Sequence, residues 1–332
     1  MMFQSLLYDH LDELMATYSS TMTSDIRLAI HAMLTCHTEQ NGYSQWHCQH
    51  RTTFDWLEKQ QRKLLPIDYF MVTFTLPAEL RPLAKGFPKQ IYQAMFTVSA
   101  SIIKDFADRA KSMGETIGFT SVLHTHNRRR DLHPHIHMVV TGGGFDTNKR
   151  QWIHCKNQYL FNAFALANVW RARLLSHITD TLKLTIPRQL PPKWVVDCRH
   201  VGRGKSALLY LSKYLYRGVL ADNDILYEDN GNITFRYLDS QTKTYQTRTL
   251  PVVRFLWLIL QHVLPKGLRR VRDYGLLRGH SKHQLQQIQF AFMIAGQLTL
   301  PALEDKPISR KADYFCPCCH HLMRCLGVFR PR

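Results

Sequence analysis

A long uninterrupted apolar run is absent from this sequence. The most hydrophobic stretch, residues 252–264, contains arginine, glutamine and histidine and is far shorter than the ~20 residues that a membrane-spanning helix needs. It therefore predicts a buried helix and no membrane span. The first twenty residues carry Asp9, Asp12 and Glu13 where a secretory signal requires a basic start, so the expected location is the cytoplasm.

Acidic residues are scarce as well. The 332 residues include 25 Asp and Glu against 43 Lys and Arg, which gives a formal charge of +18 spread along the chain. Basic side chains release counterions from phosphates, so this excess predicts a nucleic-acid partner, with attraction to a membrane surface as the weaker alternative. The chain is 45% hydrophobic, which excludes a disordered protein and supplies the core of one large domain or two smaller ones.

A complete nucleotide-binding P-loop is also missing. The triplet Gly204-Lys205-Ser206 resembles the end of that motif, but a glycine is required five residues before Gly204 and Arg199 stands there. An ATPase of this class is therefore excluded.

Cysteine pairs with the spacing of a zinc site are nearly absent. The region from Cys36 to His50 contains two cysteines and three histidines but no Cys-x-x-Cys pair, so no complete zinc site is predicted there. The C-terminal tail differs, because Cys316 and Cys319 form one half-site that Cys325 or a neighbouring histidine would complete. Cysteines clustered in this way suit Zn²⁺ binding in a reducing compartment better than a disulfide framework.

What the sequence does contain is a strand pattern of histidines. In residues 131–144, His133, His135 and His137 alternate with other residues, and alternate residues of a strand share one face. Neutral imidazole is the commonest protein metal ligand, so this pattern predicts a metal site. A histidine-rich surface strand without a metal is the alternative.

A second strand is predicted just before this one. Residues 116–126 also alternate, and the basic turn 127–131 joins the two strands. Two strands with a short connection predict a hairpin. The hairpin would bring His124 or His126 beside the histidines of the next strand.

The segment after Gly204 is predicted to form a helix that starts at the capping residue Ser206 and ends at Gly218. Its leucines form one stripe, whereas Tyr210 and Tyr214 lie together on the opposite side beside basic residues. The usual explanation of helical tyrosines, burial in the core, is therefore disfavoured. Two phenols one turn apart beside cations suit phosphate chemistry.

The histidines and tyrosines together predict a mechanism. A metal held by His135, His137 and one further ligand would polarise a scissile phosphate, and a tyrosine hydroxyl would attack it to leave a covalent phosphotyrosine. An ordinary zinc hydrolase would explain the histidines but would give Tyr210 and Tyr214 no role.

Several longer motifs occur in order along residues 36–277: KLLPIDYFMVTFTLPAELRPL, LHTH, LHPHIHMVVTGGG, ALLYLSKYLYRGV and ITFRYLD with HVLPKGLRRVRDYGLL. Together they resemble the two-tyrosine rolling-circle transposases of bacterial insertion sequences of type ninety-one, within the His-hydrophobe-His endonuclease superfamily. The resemblance implies an α+β fold with a central antiparallel sheet and flanking helices, to which a helical N-terminal region and a small cysteine-rich tail are added.

The resemblance also implies roles for single residues. His135 and His137 correspond to metal ligands on a middle strand of the sheet. Tyr210 and Tyr214 correspond to nucleophiles, and Lys213 to a cation that assists them.

The third metal ligand stays open at this point. His124 is the first choice and His133 the second, and either could instead form a hydrogen bond behind the ligands. Imidazole ligands alone favour zinc, whereas the family implies Mg²⁺ or Mn²⁺, which suits a phosphate substrate that supplies oxygen ligands.

DNA is the implied partner, as the single-stranded ends of a mobile element and as target DNA, and the sequence makes no prediction of oligomeric state. Residues 266–278 combine arginines with Tyr274, which suits a groove where bases stack on aromatic rings, with a solvated helical face as the alternative. The basic residues expected to contact DNA are Arg128, Arg129, Arg130, Lys205, Arg217, Arg269, Arg270 and Arg272.

One departure from the family concerns its N-terminal zinc-binding module. Cys48 and His50 directly join segments that further cysteine pairs separate in the family, so Cys36 and Cys48 are interpreted as remnants of a shortened module. The predicted domains are a helical N-terminal region with this remnant (1–65), a nuclease domain (66–220), a basic DNA-binding region (221–300) and a zinc-ribbon-like tail (301–332).

The predicted function is that of a bacterial cytoplasmic transposase that cuts and transfers single strands by a rolling-circle route. A decayed, non-catalytic DNA-binding relic is the alternative. The shortened zinc-binding module favours the relic, whereas the intact histidine and tyrosine sets oppose it.

Overall fold

The computed structural model describes residues 2–35, 56–110, 113–215, 219–239, 242–298, 314–315 and 322–323. The chain has the expected α+β class. Its strands are β1 (Tyr69–Thr75), β2 (Gly118–His126), β3 (Leu132–Thr141), β4 (Gly143–Asp146), β5 (Gln151–His154), β6 (Val196–His200), β7 (Ile225–Asp229), β8 (Asn232–Leu238), β9 (Tyr245–Pro251), β10 (Val271–Gly275), β11 (Tyr314–Phe315) and β12 (Leu322–Met323). Its helices are α1 (Met2–Asp9), α2 (Leu11–Tyr18), α3 (Ser24–Leu34), α4 (described over 56–61), α5 (Arg81–Gly86), α6 (Pro88–Arg109), α7 (Ala163–Ser176), α8 (Lys205–Leu215), α9 (Val252–Leu260) and α10 (Lys282–Ile294).

The central sheet has five antiparallel strands in the order β10-β2-β3-β1-β6. The predicted hairpin of β2 and β3 is confirmed, and β3 is the middle strand. Long-range pairing completes the sheet, because β1 lies between β3 and β6 and β10 pairs with the outer side of β2.

The two faces of the central sheet differ in what they bury. On β3, Ile136, Met138 and Val140 are completely buried and pack with α6 and α7 in the largest apolar core. Trp170 of α7 is also buried there, and its indole donates a hydrogen bond to the Thr75 carbonyl at 3.1 Å. Because alternate strand residues point to opposite faces, the histidines of β3 lie on the other face, which packs against α8 and α10.

A second apolar cluster joins the N-terminal helices to the middle of the chain. The three-stranded sheet β7-β8-β9 buries Ile233, Phe235 and Leu250, which pack with α9 and with apolar residues of α1, α2 and α3. The predicted buried helix within 252–264 is confirmed as α9, whose apolar side chains belong to this cluster.

The predicted helical N-terminal region consists of three short helices, because α1 ends at Asp9 and α2 begins at Leu11. The Thr23 hydroxyl caps α3, since it accepts a hydrogen bond from the Ile26 amide. One helix boundary differs from the sequence expectation. The tyrosine helix α8 begins at Lys205 and not after Ser206.

The backbone of Gly204 explains why α8 begins at Lys205. Gly204 adopts a positive φ of 80°, which glycine tolerates without strain. Its carbonyl accepts the first helical hydrogen bond, from the Leu208 amide at 3.0 Å. The predicted end of the helix at Gly218 lies outside the described residues.

Residues 271–275 are strand β10, so the helical alternative for the basic segment is wrong in this part. This strand comes from beyond the predicted nuclease domain, whose boundary at residue 220 stays a prediction. None of the described helices combines the length and apolar character needed to cross a membrane.

Candidate metal and tyrosine site

Three histidines meet on the face of the sheet that packs against α8. The β2–β3 register pairs His124 with His135 and Val122 with His137. One ring nitrogen of each of His124, His135 and His137 lies within 4.8 Å of those of the other two. The structure therefore brings together the two predicted ligands and the first choice for the third.

Hydrogen bonds at Nδ1 of His135 and of His137 leave Nε2 as the nitrogen that each ring offers to a metal. The Nδ1 atom of His135 lies 2.7 Å from the His133 carbonyl oxygen, which can only accept, so Nδ1 carries the hydrogen and Nε2 keeps its lone pair. The Nδ1 atom of His137 lies 2.9 Å from the Thr73 hydroxyl. When this Nδ1 donates, Nε2 of His137 is likewise available to a metal.

Burial keeps the three imidazoles neutral. It lowers the pKa of His137 to about 3, helped by the neighbouring His135 and Arg199, and lowers the pKa of His135 to about 4. Burial also holds the pKa of His124 well below its usual value, with further lowering from the nearby histidines. The neutral ring is the form that binds metal, so the cluster is in its ligand form at neutral pH.

His133 is in a different environment from the three clustered histidines. Its Nδ1 atom lies 2.8 Å from the Arg81 guanidinium, and arginine is only a donor, so Nδ1 accepts. The remaining hydrogen of the neutral ring is then on Nε2, which leaves no lone pair for a metal. This geometry favours His124 over His133 as the third ligand.

His126, the other histidine considered for the hairpin, faces a histidine that the sequence patterns did not single out. The ring centroids of His126 and His262 are 5.1 Å apart. The Nε2 atom of His262 donates to the Arg130 carbonyl at 2.8 Å. Burial lowers the pKa of His126 to about 2 and that of His262 to about 4. Both rings are therefore neutral at pH 7, and they pack against each other at the end of the hairpin.

The tyrosine helix presents one phenol to the histidine cluster. On α8, Leu208 and Leu211 are buried in the core, whereas Tyr210 is 38% exposed, as the leucine stripe predicts. The Tyr210 ring centroid lies 5.9 Å from that of His137, and the rings meet edge to face. Lys213 and Tyr214 are on α8, but their side chains, and the whole of Arg217, lie outside the described residues.

The described members of the set of basic residues expected to contact DNA do not form one surface. Arg272 stacks on Phe96 of α6 at 4.0 Å, on the opposite face from the histidines. Arg130 pairs with Asp224 at 3.5 Å, and burial lowers the pKa of Arg270. Arg128 is partly buried in the hairpin turn that also contains Arg130, whereas Arg129, Lys205 and Arg269 are exposed to solvent.

Sequence reasoning missed Thr73, Arg81 and the β6 pair Asp197 and Arg199. Thr73, Asp197 and Arg199 come near the histidines through the pairing of β1 with both β3 and β6, for which no local motif exists. Arg81 reaches His133 from α5. The predicted zinc ligands Cys316, Cys319 and Cys325 lie outside the described residues, as do Cys36 and Cys48.

This chain is similar to two protein families and to known transposases. Residues 118–284, half of the chain, match the family described as "Putative transposase", and residues 46–76 match the family described as "Transposase zinc-binding domain". The chain is 29% identical over 304 residues to the "Putative transposase y4qJ" of Sinorhizobium fredii (strain NBRC 101917 / NGR234), which covers 82% of this chain and 76% of that protein. It is 26% identical over 281 residues to the "Transposase for insertion sequence element IS801" of Pseudomonas savastanoi pv. phaseolicola, which covers 79% and 67% respectively.

Among solved structures, "Conjugative Relaxase TrwC in complex with mutant OriT Dna" aligns with 18% identity and a TM-score of 0.30, over 68% of this chain and 73% of that chain. The family assignment does not depend on this likeness. The family match spans half of the chain, and the second match concerns the zinc-binding region of the same transposases. The chain therefore belongs to the transposase family of bacterial insertion sequences of type ninety-one.

Proposed function

We propose that this chain cuts and transfers single-stranded DNA by a metal-dependent reaction with a covalent phosphotyrosine intermediate. The observation that carries the proposal is the 5.9 Å separation of the Tyr210 and His137 rings beside a cluster of three imidazoles. A nucleophile this near to potential metal ligands can reach a phosphate that the metal polarises. Membership of a transposase family supports DNA as the substrate.

The three clustered histidines fit a divalent cation. Nε2 of His135, Nε2 of His137 and one nitrogen of His124 would hold it, and all three rings are neutral at pH 7 because they are buried. When bound, the cation would withdraw electron density from the scissile phosphate. Imidazole alone suits zinc, but the family and a substrate with oxygen ligands favour Mg²⁺ or Mn²⁺.

Tyr210 and Tyr214 are the proposed nucleophiles. In each step the tyrosine oxygen forms a bond to phosphorus, the bond from phosphorus to the leaving sugar oxygen breaks, and that oxygen takes up a proton. The phenol must lose its own proton, and Lys213 is proposed to stabilise the phenolate. Attack by a DNA hydroxyl on the phosphotyrosine reverses the step and rejoins strands. Two tyrosines would allow two such steps, one on the donor DNA and one on the target DNA.

The biological role that we propose is rolling-circle movement of the chain's own insertion element. The Pseudomonas relative is named as the transposase of such an element. The exposed cations Arg129, Lys205 and Arg269 are proposed to contact the DNA backbone, and a zinc ion in the tail also stays a proposal. A non-catalytic relic is the second candidate. The match to the zinc-binding family is limited to residues 46–76, which agrees with a shortened zinc-binding module.

The test is formation of a covalent protein–DNA adduct. The full chain would be incubated with labelled single-stranded DNA from the ends of its element and with Mn²⁺, Mg²⁺ or chelator, then resolved on a denaturing gel. Tyr210→Phe, Tyr214→Phe and the double variant would be run in parallel. We expect an adduct that requires metal and disappears in the double variant. DNA binding without any adduct would contradict the catalytic proposal and favour the relic.

Thr73 offers a separate check on the metal site. Thr73→Val removes the hydroxyl that contacts His137 Nδ1, so it is expected to weaken Mn²⁺ binding about 10- to 100-fold, as loss of such supporting hydrogen bonds typically does. Thr73→Ser keeps the hydroxyl and should bind Mn²⁺ like the wild type. Titration of the metal-free proteins with Mn²⁺, followed by the paramagnetic signal of the free ion, measures the difference. Equal affinity of the valine and serine variants would argue against a metal on His137.

A further inference from the structure

Arg199 lies on the histidine face of the sheet although it is distant from the histidine motif in sequence. The β1–β6 register pairs Arg199 with Met71 and Asp197 with Thr73, and Thr73 pairs with His137 on its other side. Residues directly paired across antiparallel strands point to the same face. Arg199 is therefore on the same face as His137, at the outer strand of the sheet.

The guanidinium of Arg199 is oriented and yet open to solvent. Its Nε atom donates to the Asp197 carboxylate at 2.6 Å, and the side chain is 70% exposed. Within the described ranges its two terminal nitrogens make no hydrogen bond that would occupy them. An arginine whose Nε is already hydrogen-bonded can still donate two hydrogen bonds from its terminal nitrogens, and this bidentate geometry matches two oxygens of a phosphate.

The charge of Arg199 acts on the histidine cluster. Burial is the main cause of the low pKa of His137, and the neighbouring His135 and the positive charge of Arg199 lower it further. A cation beside a metal site disfavours the metal in the absence of an anion, and the repulsion becomes attraction when a phosphate lies between the two. Arg199 and the metal site are thus suited to hold the same DNA strand.

Other arginines close to the sheet are less suited to this role. Arg81 has a guanidinium nitrogen bonded to His133. Arg272 is stacked on Phe96 on the far face, and Arg173 pairs with Asp105 at 2.6 Å beside α6 and α7.

We propose that Arg199, oriented by Asp197, binds a backbone phosphate of the single-stranded DNA next to the phosphate that is cut. The strand then leaves the histidine cluster across β1 and over the outer strand β6. The inference rests on the proposed function, since it assumes that single-stranded DNA lies on the histidine face. It adds a DNA-binding residue that controls how the strand is positioned.

The experiment compares Arg199→Gln, Arg199→Lys and the matched control Arg173→Gln, all as full-length chains. Arg173 is chosen because it also pairs with an aspartate at 2.6 Å but lies on the other face. Binding of a fluorescent single-stranded oligonucleotide from the element's end is measured by anisotropy over a series of salt concentrations. Arg199→Gln is expected to bind about tenfold more weakly at low salt, with a salt slope smaller by about 0.7. Arg199→Lys should keep the slope, and Arg173→Gln should match the wild type.

A second readout locates the phosphate. Oligonucleotides with one methylphosphonate, a neutral replacement for a single phosphate, are bound to the wild type and to Arg199→Gln. One position near the cut should weaken binding to the wild type but not to Arg199→Gln, as expected for two partners in one contact.

The outcomes separate the two proposals. A wild type that forms no adduct on the element's ends contradicts the proposed function itself. A wild type that forms the adduct, together with an unchanged salt slope for Arg199→Gln or an equal loss for Arg173→Gln, overturns the role of Arg199 alone. Melting temperatures of all variants test whether the fold is intact, which the exposure of Arg199 leads us to expect.

Discussion

Replacement of His135 or His137 by alanine is expected to lower the single-turnover rate of DNA cleavage by at least about 10³-fold. Each ring would supply one of three nitrogens to the cation, and two remaining nitrogens cannot hold it near the phosphate. The lost stabilisation of the transition state amounts to several kcal/mol, and each 1.4 kcal/mol changes the rate about tenfold. The rate would be measured with enzyme in excess over labelled DNA at saturating Mn²⁺.

His133→Ala is the matched control for this prediction. His133 lies on the same strand and the same face, but its Nδ1 accepts from Arg81, so its loss should slow cleavage far less than the loss of either neighbour. DNA binding should persist in all three variants, because it depends mainly on phosphate contacts. A His133 variant as inactive as His135→Ala, with normal DNA binding, would require a different ligand set.

Steep loss of stability on acidification is the second large effect, and it is expected of the metal-free protein. Burial lowers the pKa of His135 and His262 to about 4, of His137 to about 3 and of His126 to about 2, and His124 is lowered in the same direction. The unfolded chain protonates its histidines near pH 6.5. Since the unfolded state then binds more protons than the folded state, stability is complete above pH 6.5 and falls as the pH decreases toward 4.

The slope of this loss is the measurable quantity. Each histidine that stays neutral in the fold contributes about 1.4 kcal/mol per pH unit, so five of them approach about 7 kcal/mol per pH unit. A domain with a typical free energy of unfolding would then unfold at about pH 5. Urea titrations at pH 7, 6 and 5.5 give the slope, and His262→Gln should reduce it by about 1.4 kcal/mol per pH unit. A free energy of unfolding that does not change between pH 7 and 5.5 would show that the buried rings take up protons without unfolding.

Much of the candidate site could be predicted because its signals are local. The alternation of β3 fixed the face of His135 and His137, the short turn to β2 supplied His124, and the leucine stripe of α8 directed Tyr210 away from the core. These inferences need the periodicity of a strand or helix and one short connection.

The residues that support the site could not be predicted in the same way. Thr73 and Arg199 meet the histidine cluster through pairings between strands that are distant in sequence. A shift of one residue in the pairing of β1 with β3 would turn both side chains to the opposite face, and a shift in the pairing of β1 with β6 would turn Arg199 alone. The packing of α1 to α3 on α9 also depends on apolar faces that many partners could cover, so the sequence predicted these helices but not their location.

The position of β10 at the edge of the central sheet has a consequence for how the chain is made. Residues 271–275 pair with residues 118–122 of β2, so this part of β2 has no neighbour on its outer side until most of the chain has left the ribosome. An unpaired strand edge invites pairing with other chains. The hairpin that carries the histidines is thus open to misassembly throughout synthesis, and fragments that stop before residue 271 should aggregate where the full chain stays soluble.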